Sequence, residues 1–363
     1  MELIECIEKL EKSKIKAGDG EKEGKYPLYT CSPKVNKFLD NYLYDTEAII
    51  LSTGGNPVIN YHKGEFSYST DCLAIKSNGK FENKYLYYYL ISKISDIAKM
   101  FRGAGIKHLN KRELFKMNIS FIDKKEQKII VKNLDRINNV IELKKKQLKE
   151  LDIIIKSQFV EMFGDISKSK YEQVKLSSIA EVKSSHRVFT KEFVEKGIPF
   201  YRGTEIGMLS NGEKINKSYY ISVEHYQKIC DENTKPKKGD LLLPSICDKG
   251  QVWMVDTENP FYYKDGRVLL ISLRDDNINR IYFHQFMKYK TVEEYIKLGT
   301  GSTFAEYKIY ILKDFEVTIP PSTLQNQFAE IVKQIDKQKF ESMIQLEMIE
   351  KIYNMINDRR RYV

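Results

Sequence analysis

Residues 125–163 read KEQKIIVKNLDRINNVIELKKKQLKELDIIIKSQFVEMF. Stepped by four and three they give Ile130, Leu134, Ile137, Ile141, Lys144, Leu148, Leu151, Ile155, Gln158 and Met162, all but two of them apolar. No Pro or Gly interrupts the run. A 3.5-residue period keeps one face of a helix turned toward a partner helix, so the spacing predicts one helix roughly 58 Å long at 1.5 Å per residue. A second helical stretch, 324–361, closes the chain, with apolar positions Phe328, Ile331, Ile335, Leu346, Ile349, Ile352 and Ile356 and a polar middle at Gln338, Ser342 and Gln345. Each helix follows a basic, β-rich segment, giving the order β-domain 1–124, helix 125–163, β-domain 164–323, helix 324–363. The helices pack most simply side by side and antiparallel; the alternative is that each packs on its own β-domain. The expected fold class is α+β, two pseudo-symmetric β-rich domains separated by a long antiparallel two-helix coiled coil.

The β-rich segments repeat one order of features. YPLY (26–29) is answered by IPFYRG (198–203), EAIILST (47–53) by GDLLLPS (239–245), and CLAIK (72–76) by GRVLLISL (266–273). A Tyr-rich helical pattern from Asn83 to about Phe101 is matched by INRIYFHQFMKY (278–289), and FRGAGIKHLNKRELFKMNISFI by LGTGSTFAEYKIYILKDFEVTIP. EQKIIVKNLDRI (126–137) aligns over QFAEIVKQIDKQ (327–338). A chain that repeats a unit in this way should fold with a pseudo-two-fold relation between its halves. The opening ELIECIEKLEK reads as a short amphipathic helix, and MNISFI (117–122) as a strand. The aromatic run YLYYYL reads as helix packing rather than a base-stacking platform.

Composition narrows the class. A chain of 363 residues suffices for two or three domains with their own cores. Lys and Arg number 60 against 50 Asp and Glu, a formal charge of +10, compatible with a polyanionic partner without requiring one. The five cysteines (Cys6, Cys31, Cys72, Cys230, Cys247) are scattered, with no CxxC pair, so a zinc site is not expected and a reducing, cytoplasmic compartment is. MELIECIEKLEKSK is charged throughout, unlike a signal peptide, and no apolar run reaches membrane-spanning length. No membrane association is expected.

Catalytic motifs are missing. Gly18 to Gly24-Lys25 is one residue too long for a phosphate-binding loop, and Tyr26 stands where Ser or Thr would meet magnesium. There is no GxSxG, HExxH or helix-opening GxGxxG. Asn56-Pro57-Val58 and Ile319-Pro320-Pro321-Ser322 do not make the NPPY-like tetrapeptide of amino-methyltransferases. No catalytic residue, metal ligand or cofactor-binding residue is assigned.

YPLY and IPFYRG, followed by AIILS and DLLLPS, resemble the two target-recognition domains of a Type I restriction-modification specificity (S) subunit. GAGIKHLNKRELFKMNISF and GTGSTFAEYKIYILKDFEVTIPP are similar to that family's Gly-rich segment and closing strand, and the two helical stretches to its spacer helices. The first copy departs from the pattern by having Phe121-Ile122-Asp123 in place of the Pro pair. The resemblance implies a non-catalytic reader of double-stranded DNA, each β-domain recognising one half of a bipartite sequence. It implies two methyltransferase (M) subunits docked on the helices, and ATP-driven restriction (R) subunits joining that core. S-adenosylmethionine would then belong to the M subunits, and ATP with magnesium to the R subunits. Phosphate contacts supply affinity and register, base-edge contacts supply choice of sequence, and a Gly-poor helix is a stiffer spacer than a flexible linker.

Candidate DNA-binding residues in the first domain are Lys14, Lys16, His62, Lys63, Arg102, Lys107, His108, Asn110, Lys111 and Arg112. Asn110 has the amide for a bidentate contact to adenine and Arg112 the fork for guanine; either residue would equally serve at a helix end. In the second domain they are Lys183, Ser184, Ser185, His186, Arg187, Arg202, Thr204, Lys249, Gln251, Thr300, Ser302 and Thr303, all equally compatible with ordinary surface roles. Two readings of another class stay open: a DNA-modifying enzyme with an unrecognised active site, and a helical scaffold that binds only protein.

Overall fold

The computed structural model describes residues 1–165, 170–215, 218–298 and 305–359. The chain divides into two compact units, Met1–Gln147 together with the stretch from Ser342 onward, and Leu148–Glu341. Each unit thus holds a β-rich body and part of each long helix.

In the first unit β1 (Ile7–Lys9), β2 (Tyr26–Tyr29), β3 (Phe38–Leu39), β4 (Tyr44–Ser52), β5 (Ile59–Tyr68) and β6 (Cys72–Ser77) form one sheet. Its order is β1-β6-β4-β5-β2-β3. Only the β2–β5 pair is parallel. β4 is buried on both faces. Ile49 and Leu51 pack with the helical side, while Ala48 and Ile50 face Tyr29, Phe66 and Tyr68, the alternation a strand imposes. After β6 come α1 (Asn83–Ser92), α2 (Ile94–Lys99), the short pair β7 (Phe101–Arg102) and β8 (His108–Leu109), α3 (Lys111–Phe115) and the forty-residue α4 (Lys124–Phe163). Tyr85, Tyr88 and Tyr89 of the aromatic run are buried.

Two local expectations are corrected. ELIECIEKLEK is not a helix; it makes one 3-10 turn, Leu3–Cys6, and then β1, with Ile7 opposite Ser77 of β6. A short isolated helix is marginal alone, whereas the turn buries Leu3 and Cys6 and the strand buries Ile7 and satisfies its backbone against the sheet edge. Residues 117–122 form no strand beyond the single bridge Glu2–Asn118; Leu3 N to Met117 O and Ile119 N to Met1 O, both at 2.8 Å, flank that bridge, with the Met1 amino group donating to Ile119 O at 3.3 Å.

In the second unit β9 (Glu172–Lys175) precedes α5 (Leu176–Ile179), β10 (Ala180–Lys183), β11 (Phe193–Val194), β12 (Ile198–Tyr201) and α6 (Gly203–Ser210). Then come β13 (Tyr219–Ile221), α7 (Val223–Ile229), β14 (Leu241–Pro244), β15 (Trp253–Met254), β16 (Tyr262–Tyr263) and β17 (Val268–Leu273). α8 (Arg280–Leu298), α9 (Ile309–Lys313), β18 (Glu316–Ile319) and α10 (Ser322–Arg359) complete the chain. The sheets run β10-β17-β14-β15 and β11-β13-β12-β16. β10, β17 and β14 repeat β1, β6 and β4; β16, β12 and β13 repeat the end of β5, β2 and β3, again with one parallel pair, β12–β16. What is one ten-residue strand in the first unit is split in the second into β15 and β16. Pro260 lies in the gap, and a proline cannot donate to a ladder.

A buried glutamine fixes the same junction in both units. Gln127 accepts from Glu82 N at 2.8 Å and donates to Ile122 O at 2.9 Å; Gln325 accepts from Asn279 N at 2.8 Å and donates to Pro320 O at 2.7 Å. Both are almost fully buried, so each pair of bonds satisfies polar atoms that water does not reach.

The long helices pair antiparallel. In the second unit Asp152 of α4 meets Lys339 of α10, and Phe163 meets Phe328; in the first, Lys145 meets Glu350 at 3.2 Å. Numbers rise on one helix as they fall on the other. On α4, Leu134, Ile141, Leu151 and Ile155 are buried, and Ile130, Ile137, Leu148 and Met162 half-buried. Phe159 and Phe163, outside the four-three stepping, are buried as well. On α10 the inward positions are Phe328, Val332, Ile335, Lys339, Ser342, Leu346, Ile349, Tyr353 and Ile356, unbroken four-three spacing, with Ile331 half-buried beside them. Ile352 is corrected: it is 50% exposed and Tyr353 takes the inward place. The sequence stepping slipped at Gln338 because Lys339 is charged, yet a lysine buries its stem while its ammonium reaches out to a partner.

Candidate nucleic-acid interface

In the first unit the β7–β8 hairpin carries the Gly-rich tip 103–107. Gly103 has φ +148°, and a Cβ there would meet Ile106 O at 2.7 Å, so the turn requires glycine. Two backbone bonds hold the hairpin against the loop after β4, Leu109 N to Thr53 O at 3.0 Å and Gly55 N to Lys107 O at 2.9 Å. The tip presents Lys107, His108 and Ile106, the last 73% exposed. Behind it Asn110 caps α3, its Oδ1 accepting from Arg112 N at 3.2 Å and Glu113 N at 3.4 Å while its Nδ2 donates to Glu113 Oε1 at 3.0 Å. Glu113 in turn holds Arg102 Nη2 at 2.8 Å. The cap engages the amide that a bidentate adenine contact would use; Lys111 and Arg112 project into solvent.

The second unit repeats the attachment. Tyr307 N bonds Ser245 O at 2.7 Å, as Leu109 does Thr53, and so brings the segment after α8 to the loop after β14. That loop carries exposed Lys249 and half-buried Gln251; Gln251 accepts from Lys249 N at 3.0 Å and donates to Asp248 at 2.9 Å. Arg267 and Glu306 pair beside it. Thr300, Ser302 and Thr303 lie outside the described residues.

The other candidates have mostly structural surroundings. His62 Nδ1 lies 2.9 Å from Tyr29 OH, its ring against Tyr29 and Phe66, and burial holds its pKa below the usual imidazole value. Burial thus disfavours the charged ring there. Lys63 reaches Glu47 at 3.2 Å; Lys14 and Lys16 are exposed. Lys183 pairs with Glu181. The 184–187 loop is laced to the β16–β17 turn: Ser184 accepts from Gly266 N at 2.8 Å, Ser185 donates to Tyr263 O at 2.6 Å, and Arg187 meets Asp265 at 3.1 Å. His186 Nε2 lies 3.3 Å from Asp231. Arg202 forks onto Glu205 at 3.1 and 2.9 Å and lies over the Tyr219 ring at 4.2 Å. Burial would raise the Glu205 carboxyl, but the Arg202 hydrogen bonds outweigh it and hold the pKa low. Thr204, on the first turn of α6, is exposed.

Sequence reasoning missed Glu113 and Glu205 as the anchors of two arginines. Asn110-x-x-Glu113 has capping-box spacing, a signal that was available. Among the described residues no group of three His, Cys, Asp or Glu is placed to hold a metal, and no helix is long and apolar enough to cross a membrane.

Two copies of one α+β body, each with a loop-borne surface and joined by paired helices, make a duplicated recognition protein. A family model described as the Type I restriction modification DNA specificity domain matches residues 1–152 and again 168–351. The chain belongs to that family, the non-catalytic DNA-specificity subunits of Type I restriction-modification systems. It is 25% identical over 358 residues to the Type I restriction enzyme MjaVIII specificity subunit of Methanocaldococcus jannaschii, covering 88% of this chain and 81% of that one. To the Type I restriction enzyme EcoDI specificity subunit of Escherichia coli it is 27% identical over 161 residues, 43% of this chain and only 34% of the other's length. The crystal structure of the S subunit of a Type I restriction-modification system from M. genitalium shares the fold, with TM-score 0.59 at 16% identity over 99% of this chain and 95% of that one.

Proposed function

We propose that each β-rich unit reads one half of a split duplex target through the hairpin-and-loop surface built at the end of its central strand, β4 or β14. The observation that carries this is the repeated backbone tie, Leu109 to Thr53 and Tyr307 to Ser245, which aims two loops at one place in each copy. In the first unit Lys107, Lys111 and Arg112 neutralise phosphates and the Gly-rich tip approaches a groove. In the second Lys249 and Thr204 belong to the same surface, and Arg202 and the 184–187 loop position it. Segments 1–124 and 164–323 act as readers, with 125–163 and 324–363 as spacers.

The helices also dock two methyltransferase subunits, to which restriction subunits can be added. Apolar side chains left outside the seam support this: Ile344, Met348, Ile352 and Met355 on α10 recur at helical spacing and are 44–58% exposed, a stripe that a soluble protein seldom leaves uncovered. S-adenosylmethionine and ATP bind in those partners. A reader of genomic DNA works where that DNA lies, in the cytoplasm. The test is to compare the methylome of cells with and without this gene. One asymmetric, split motif should disappear with the gene; methylation unchanged in its absence refutes the reading.

A further inference from the structure

In the second unit the loop 245–252, between β14 and β15, is fastened along α8. Ser245, Cys247, Gly250 and Val252 are buried, whereas Ile246, Asp248 and Lys249 are exposed. Ser245 O accepts from Tyr307 N at 2.7 Å, and Tyr307 OH donates to Thr291 O on α8 at 2.5 Å. Cys247 lies in the core that includes Phe286 and Met287 of the same helix. Gly250 has φ +70°, and a Cβ there would meet Lys288 O at 2.6 Å, so glycine is what lets the loop backbone lie against the helix. One turn earlier His284 Nε2 stands 2.8 Å from Val252 O. His284, Lys288 and Thr291 share one face of α8 by their four-three spacing.

A backbone held at these points fixes where its exposed side chains stand. Asp248 is fixed further: Gln251 Nε2 donates to Asp248 Oδ1 at 2.9 Å, while Gln251 Oε1 accepts from Lys249 N at 3.0 Å. That bond uses one carboxylate oxygen, and among the described residues no donor or cation meets the other, Oδ2. The matching connection of the first unit, 53–58, reads TGGNPV and has no acidic residue. An ionised carboxylate only accepts hydrogen bonds and is repelled by phosphate. On a surface that meets duplex DNA its favourable partners are the exocyclic amino groups of the major groove, N4 of cytosine and N6 of adenine. Lys249, next in the chain and exposed, supplies the opposite charge for the phosphates nearby.

On the two-reader function proposed above, we propose that Asp248 is a base-reading residue of the second unit, its Oδ2 accepting a hydrogen bond from the amino group of one cytosine or adenine in the major groove. Gly250 is its positioning residue, setting the loop on α8. Sequence choice in the second half-site then rests on a carboxylate that the first unit lacks at the matching place.

The test uses the full chain with its methyltransferase subunit, and duplexes carrying the methylated motif or each single-base change of it. Affinities are read by fluorescence anisotropy and folding by thermal melting. Asp248→Asn keeps an acceptor for Gln251 and turns the reading oxygen into an N–H donor. Thymine O4 stands where cytosine has N4, and guanine O6 where adenine has N6. The preferred base should therefore change from C to T, or from A to G, at one position of one half-site, with the other half unchanged. Asp248→Ala should lose discrimination at that position by roughly tenfold, and Gly250→Ala should weaken it at the same position. Lys249→Ala should lower affinity for all duplexes alike. Wild-type preferences in both Asp248 variants, or a loss spread evenly over both halves, overturn the assignment and leave the two-reader function standing. A wild-type complex that binds all duplexes equally overturns both.

Discussion

Lys339 Nζ donates to Asp152 Oδ1 at 2.6 Å, across 187 positions of sequence. The pair sets which residues of α4 and α10 face each other but supplies little stability, because partly exposed ion pairs contribute about 0–1 kcal/mol. Lys339→Met, which keeps the buried stem, should therefore change unfolding free energy by about 1 kcal/mol or less. Leu151→Ala, one position away on α4 and 7% exposed, should lose about 2–5 kcal/mol through transfer and cavity terms. Urea unfolding of both variants checks the ranking, and equal losses would contradict it.

Asn110 makes its contribution through geometry. Removing its cap with Asn110→Ala should cost about 1 kcal/mol and free Glu113 from one of its partners, loosening the hold on Arg102. Asn110→Ser retains an N-cap acceptor without setting a carboxylate against Glu113 and should restore most of the melting temperature. If Asn110 read adenine directly, both variants would lose sequence preference equally while melting as wild type does.

The parts of this fold that were legible in sequence are those whose signal is local and periodic. The α4 seam stood out because Leu134, Ile141, Leu151 and Ile155 recur at one spacing with Lys144 as its one charged position, and the paired EAIIL and DLLLP stretches became the central strands of both units. The opening eleven residues failed because ELIECIEKLEK fits a helical period, while its fate was decided by pairing with β6, some seventy positions on. The site was less legible still. Lone basic residues such as His62 and Arg202 look alike in sequence whether they face solvent or Tyr29 and Glu205, and only tertiary contacts separate them.

Lys107, Lys111 and Arg112 are exposed, and among the described residues no acidic side chain pairs with them, so the proposed reading takes them as phosphate ligands in the first unit. Lys107→Ala, Lys111→Ala and Arg112→Ala should each reduce the slope of log affinity against log salt by about 0.9, with nearly uniform loss across duplex sequences. Ile106→Ala removes an apolar tip without charge, so its slope should stay unchanged while discrimination between target and random duplex falls. Fluorescence anisotropy at several salt concentrations measures both. A slope unaffected by all three cation variants would remove this surface from the interface.

His284 gives the second unit an acid limit. Its Nε2 lies 2.8 Å from Val252 O, a contact in which the neutral ring donates. Burial, opposed by that hydrogen bond and reinforced by Lys288 and Lys339 facing it, lowers its pKa from 6.5 to about 4. Between those values the unfolded chain binds a proton that the folded chain refuses, so stability from this group is complete above pH 6.5 and is lost as pH falls toward 4. His284→Gln keeps an N–H donor for Val252 but cannot protonate. The difference in urea midpoint between variant and wild type should therefore move in the variant's favour as pH is lowered from 7 to about 4.5. Parallel pH profiles would mean that the imidazole is already solvated in the folded chain.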